Sequence, residues 1–402
     1  MEIGAIMQHL RDPAGIPAHP LLFQGLMVFT WTLHIAFVHL TLGAGGIAIW
    51  GYSQSENEWL RLAAAMTKVA KISVSLLIVL GVAPLLFTQV LYDPQWYVSN
   101  LLSSRWVIAF IFLLIIAYCL WFVVYFATYH GTPNKYVMYS GLVALFIFLV
   151  NGLIMHVLAY QAILPEHWLE WYMPGGIVDN TGSSLHAISW PRYLFIISLS
   201  APLAGLFLIA YTHYFAVRAD YPPDYLEFVR GLAKKIAPPG FAIALILFFA
   251  WQMIVPFTHP IAWLLGLSLL IMALWTRTNS FTDSGYWSLL GGVGVLALLS
   301  LWRELIRVNL LANFGYTIDS YPVNLDIPST VLFFTTLITV GGSVGGYYLS
   351  LLYRAGRISG KYTTEEPIAR LGSSAIAVLV IWIAIFFAYG ITIWLSNNFL
   401  KN

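Results

Sequence analysis

Residues 106–127 read WVIAFIFLLIIAYCLWFVVYFA and hold neither an acid nor a base. At about 1.5 Å per residue this run makes a helix about 33 Å long, enough to cross the roughly 30 Å hydrocarbon core of a bilayer. A helix apolar on every side is poorly placed in water, whereas in lipid the same surface is solvated and the backbone hydrogen bonds stay internal. The lone cysteine, Cys119, sits in the middle of this run, which removes both a disulfide framework and a Cys-based metal site.

The rest of the chain has the same character. Of 402 residues, 60% are hydrophobic and 9% charged, with a mean hydropathy of +0.80. A soluble domain carries about 25% charge. The 16 Trp and 23 Tyr suit the membrane–water interface. Scanning for runs of about 20 mostly apolar residues predicts spans at 21–50, 65–91, 105–128, 137–164, 191–217, 239–256, 259–275, 286–302, 328–353 and 373–400. The short pair 239–256 and 259–275, joined through Pro256 and Pro260, admits a single re-entrant hairpin, so the count is nine or ten. The fold class is all-α, a polytopic transmembrane helix bundle. Residues 1–164 form an N-terminal four-helix membrane bundle, 165–190 an extracytoplasmic loop with an interfacial helix, and 191–402 the C-terminal membrane helices.

Charge gives the orientation. Alternating connections collect thirteen Lys and Arg on one side, from Arg61 to Arg370. The other side has Arg11, Arg105, Arg192, Arg303, Arg307 and Lys401, and together these account for the chain's 19. The positive-inside rule makes the richer side cytoplasmic and places both termini outside. The net charge of +2, with no basic arm, leaves no footprint for nucleic acid. Residues 1–19, polar and broken by proline, lack the basic start and short apolar stretch of a cleavable signal. Two long outer connections, 165–190 with Trp168, Trp171 and Tyr172, and 303–327 with Tyr316 and Tyr321, are candidate docking surfaces. Glycines at 43–46, 291–294 and 341–346 read first as close helix packing.

Ionisable groups inside spans are the functional suspects. They are His34 and His39 in the first span, His156 in the fourth, His213 in the fifth and the pair Arg303-Glu304 closing the eighth. His34 lies about 20 Å along its helix from Leu21, near mid-membrane, and His156 about two turns before Leu164. A neutral imidazole there suits either a haem iron or a hydrogen bond to a neighbouring helix. His34 and His39, five residues apart, point about 140° away from each other and cannot hold one metal together. The chain has no phosphate-binding loop, no dinucleotide glycine pattern, no HExxH and no serine-nucleophile signature. No run of Asp or Glu within the spans marks an ion path.

The run Leu33-His34-Ile35-Ala36-Phe37-Val38-His39-Leu40-Thr41-Leu42-Gly43 resembles the first helix of cytochrome bd oxidase subunit I, which reads His-Phe-Leu-Phe-Val-Pro-Leu-Thr-Leu-Gly there. Met66-Thr67-Lys68, Gly81-Val82-Ala83 and Trp96 fall where that family has similar features. Pro191-Arg192-Tyr193-Leu194-Phe195 looks like its Val-Arg-Phe-Val-His stretch. The resemblance is clearest over 20–100 and looser over 190–235.

It implies that His34 stands on a haem-ligating histidine and His39 on a proline. The family's low-spin haem histidine falls on Phe195, and its methionine partner has no counterpart, Thr335 and Thr336 standing nearest. The third-helix acids, the Gly-Arg-Gly-Asp-Gln motif and the long quinol loop are missing, so a complete oxygen-reducing oxidase is not expected. What the resemblance implies is a bd-like membrane subunit of a respiratory electron-transfer complex in a prokaryotic inner membrane. It would carry haem b on His34, with His156 as second ligand and His39 as a further cofactor-binding candidate, or serve as an anchor. Quinone in the bilayer, other membrane subunits and an extracytoplasmic cytochrome or redox protein would be its partners. The other reading from the residues is a haem-free permease or channel-like protein.

Overall fold

The computed structural model describes residues 3–128, 131, 133–278 and 285–399, which are mostly helical with no named strand among them. Ten helices are long and apolar enough to cross a membrane. They are α1 (Pro20–Tyr52), α2 (Asn57–Leu91), α3 (Ser104–Ala127), α4 (Lys135–Gln161), α5 (Trp190–Phe215), α6 (Pro223–Gln252), α7 (Pro260–Thr278), α8 (Gly285–Ala312), α9 (Ile327–Ala355) and α10 (Glu366–Phe399). The fold is thus an all-helical polytopic membrane bundle, and the nine-or-ten ambiguity resolves to ten. The segment that admitted a re-entrant hairpin makes two helices of 30 and 19 residues.

Four ends differ from expectation by seven residues or more, α10 beginning at Glu366 rather than 373. α2 begins at Asn57 rather than 65, α6 at Pro223 rather than 239, and α8 runs to Ala312 rather than 302. Hydropathy marks only the lipid-embedded part of a helix, and charged turns such as the one with Arg230, Lys234 and Lys235 extend beyond it. Pro238 and Pro239 lie inside α6 without ending it; the bundle tolerates the lost backbone donors. Lys401 and the last residue of the expected tenth span lie outside the described residues.

The chain divides into two compact units. The first comprises the residues up to His213 together with Pro223–Val323; the second is Tyr214–Pro222 with the chain from Asn324 onward. In the second unit, α9 contains a π-helical turn at Thr336–Gly341 and pairs with α10. Within the first unit, α1 packs along α2 and also meets α4 and α8, while α3 pairs with α4. α6 lies between α7 and the first half of α5, which is interrupted at Leu199.

One end of this unit is closed by two devices. The 165–190 loop carries the expected short helix, Trp168–Tyr172, and is pinned by the buried Gln161. The Trp168 indole donates to the Gln161 carbonyl (2.9 Å) and the His186 amide to Gln161 Oε1 (2.8 Å). The second device is the N-terminal segment. A short helix Ile3–His9 buries Met7, and Arg11 stacks over Tyr316 and Tyr321 at 3.9 and 4.2 Å. Tyr316 and Tyr321 were expected on a docking loop; instead they are buried in a core with Met7, Met27, Leu91 and Tyr92.

Candidate functional site

The three histidines expected to bind a cofactor go to different places. The His34 Nδ1 lies 2.9 Å from the Leu77 carbonyl on α2. A carbonyl only accepts, so Nδ1 carries the proton and Nε2 presents its lone pair; Nε2 has no hydrogen-bond partner among the described residues. Gly81, one turn on from Leu77, makes this approach possible, since a Cβ there would stand 2.9 Å from both Cε1 and Nδ1 of His34. His39 turns to α5, with Nδ1 2.9 Å from the Ser200 hydroxyl, and is fully buried. Two imidazoles on one helix thus face two neighbours, as their five-residue spacing dictates. His156 is 7% exposed and packs between Tyr160 and Tyr193, at 6.3 and 5.5 Å between ring centres.

His34 lines a cavity of about 140 Å³ between α1, α2, α4 and α8, with Trp31, Gly81, Met155, Arg303 and Arg307 among its walls. Neither His39 nor His156 lines it; α4 presents Met155 and Ala159 there instead. Among the described residues, no group of three His, Cys, Asp or Glu is placed to hold a bare metal ion.

Of the charged cluster beside the cavity, the sequence pointed to Arg303 and Glu304 but not to Arg307, Tyr92 or Gln24. Glu304, 3% exposed, accepts from the Tyr92 hydroxyl (2.5 Å) and from Gln24 Nε2 (3.1 Å), and pairs with Arg307 at 3.1 Å. Arg303 lies 4.0 Å over Trp31 and Arg307 4.6 Å over Tyr92. Ending the eighth span at 302 put Arg307 in a loop. The available signal was Glu304 and Arg307 at i,i+3, which share one helix face if the helix continues. Just beyond α2, Asp93 accepts from the Tyr321 hydroxyl and from the Asp12 amide (2.9 Å). Burial holds the Asp93 carboxyl above the ordinary aspartate range and pushes the Tyr316 phenol up to about 12 against the opposing Arg11 charge.

Phe195, where the resemblance would have a haem histidine, is completely buried. Its ring packs on Phe248 and Trp251 at 5.4 and 5.7 Å, so aromatic side chains fill that region.

No family model matches the chain, and no curated protein matches it. Among solved structures it is similar to the bd oxidase from Geobacillus thermodenitrificans, with a TM-score of 0.57 over 92% of this chain and 98% of that one, at 12% sequence identity. At that identity the likeness is one of architecture, and it extends over nearly the whole bundle. The chain has a distant bd-oxidase-like fold.

Proposed function

We propose that this chain is the haem-carrying membrane subunit of a respiratory electron-transfer assembly, with a b-type haem in the α1–α2–α4–α8 cavity and His34 Nε2 as its protein ligand. The observation that carries the reading is the His34–Leu77 hydrogen bond, made beside a glycine that clears space for the ring. Iron-binding histidines characteristically donate the other ring N–H to a carbonyl, which fixes tautomer and orientation. The donor set fits a haem otherwise too. The walls are largely apolar, and Arg303 and Arg307 offer cations to the carboxylates of a porphyrin edge. A haem there supplies reversible one-electron storage at iron. His34 would hold it, Trp31 and the α4 residues would exclude water, and the Glu304–Arg307–Tyr92 cluster would fix the charge beside it.

His156 was the expected second ligand. Its contacts with Tyr160 and Tyr193 favour Met155, which lines the cavity and bears a thioether able to bind haem iron. In this reading quinone in the bilayer and an extracytoplasmic redox protein on the 165–190 loop exchange electrons with the haem, other membrane subunits complete the complex, and the site is a prokaryotic inner membrane. The test is a dithionite-reduced minus oxidised spectrum of the purified full chain, with haem quantified as the pyridine haemochrome. A b-type band is expected that is lost in His34→Ala, shifted in Met155→Ala and unchanged in His156→Ala. A folded, haem-free preparation after expression with ample haem sinks the electron-carrier reading and leaves an anchor or a permease.

A further inference from the structure

A second, smaller cavity, of about 30 Å³, lies beside the first, where α4, α6 and α8 end and α5 begins. Its walls are largely apolar, but three guanidinium groups reach it, those of Arg192, Arg303 and Arg307. Arg192 is 6% exposed, and its Nη1 is buried without a hydrogen-bond partner; Arg303 Nε is in the same condition. The nearby carboxylate, Glu304, is already engaged by Arg307, Tyr92 and Gln24. Arg192 lies over the face of Tyr160 at 5.7 Å and makes no ion pair among the described residues. It lines this cavity and not the His34 cavity, so the haem reading assigns it no role.

A charge and an N–H donor buried in a membrane bundle without partners are costly, and such groups mark ligand paths and binding sites. The guanidinium fork matches the paired oxygens of a carboxylate or phosphate. The wall also includes a surface residue, Ile254, which is 51% exposed. The non-helical connection between α6 and α7 contributes Val255 and Pro256 to the wall, and its neighbour Met253 is 87% exposed.

We propose that Arg192, with Arg303 and Arg307, forms a binding site for an oxyanion group, phosphate or carboxylate, that enters by the α6–α7 connection. Arg303 and Arg307 border both cavities, and Arg192 is the member that the haem reading does not use. The same chemistry can arrive as a free ion or as the headgroup of an acidic phospholipid.

The test uses the full chain in detergent, titrated with inorganic phosphate against sodium chloride at matched ionic strength, with thermal unfolding as the readout. Saturable stabilisation is expected. Arg192→Gln should weaken it by roughly tenfold or more, the size of one lost charge-assisted hydrogen bond. Arg192→Lys, which keeps the charge without the fork, should weaken it less, and Lys235→Gln on the exposed surface should leave it unchanged. If phosphate has no effect but native mass spectrometry finds phosphatidylglycerol retained by the wild type and lost from Arg192→Gln, the oxyanion comes on a lipid. The proposal is overturned if neither response depends on Arg192. It is also overturned if the response disappears in haem-free His34→Ala, because the arginines would then serve the haem alone. Absence of haem with a preserved phosphate response defeats the haem reading and leaves this site standing.

Discussion

At the scale of single residues, the site was legible where chemistry is rare. An imidazole inside an apolar helix attracts notice, and His34 indeed lines the central cavity. Glu304, Arg307, Tyr92 and Gln24 were not legible as a unit, because they come from four places in the chain and only folding closes the network. Asp93 belongs to a related cluster and makes a measurable prediction. Burial raises its pKa above the ordinary aspartate value, despite the Asp12 amide and the Arg11 charge that oppose it. The folded protein therefore holds a proton there more tightly than the unfolded chain does. Stability should fall as pH rises from the ordinary value through the raised one, then stay level above it. Asp93→Asn has no such titration. The melting temperature of Asp93→Asn minus that of the wild type is expected to rise with pH across that window and then flatten. A difference that is level throughout would mean that the carboxyl is as well solvated folded as unfolded.

At the scale of elements, the apolar runs located all ten spans, because lipid imposes one length on every helix that crosses it. The ends were less legible, since a helix continues into water for reasons other than hydropathy. Packing partners were hidden as well. The glycine clusters divide once the neighbours are known. A Cβ on Gly43 would come 2.6 Å from the Ser200 carbonyl oxygen and one on Gly292 2.6 Å from Leu206, whereas around Gly342, Gly345 and Gly346 there is open space. Another close approach, outside those clusters, joins α5 to α6. A Cβ on Gly240 would lie 2.7 Å from the Pro202 ring, and one on Gly205 2.8 Å from Ala237. Small residues let these backbones approach, which is how helices gain contact area in lipid. Gly240→Val should destabilise the bundle by about 1–3 kcal/mol through overpacking, while Gly294→Ala, with nothing within 4 Å of its Cβ, should be neutral. Size-exclusion chromatography after graded heating would separate the two. Equal loss in both variants would show that α5 and α6 do not need this approach.

For the whole molecule, burial sharpens the argument from charge. Of the six cations assigned to the sparse side, Arg11, Arg192 and Arg307 are buried in the bundle, and Arg303 stacks on Trp31. They serve internal sites, so they should not be weighed as loop charges. Arg105 remains as the exposed cation of that side among the described residues, against Lys68, Lys135, Lys234, Lys235, Arg277, Arg354, Lys361 and Arg370, all exposed on the other. Topology follows Lys and Arg held near the membrane surface, and the asymmetry is steeper in the folded chain than in the sequence. The 165–190 loop should therefore face outward and the α1–α2 turn the cytoplasm. Cysteine scanning checks this on a Cys119→Ala background, since the native thiol lies in the middle of α3. Ile177→Cys, at a position 77% exposed, is expected to react with a membrane-impermeant maleimide in intact cells. Ser55→Cys in the α1–α2 turn should react only after permeabilisation. The reverse pattern would invert the molecule and put the mouth of the arginine-lined cavity on the cytoplasmic side, where the oxyanion would have to be drawn from cytoplasmic pools.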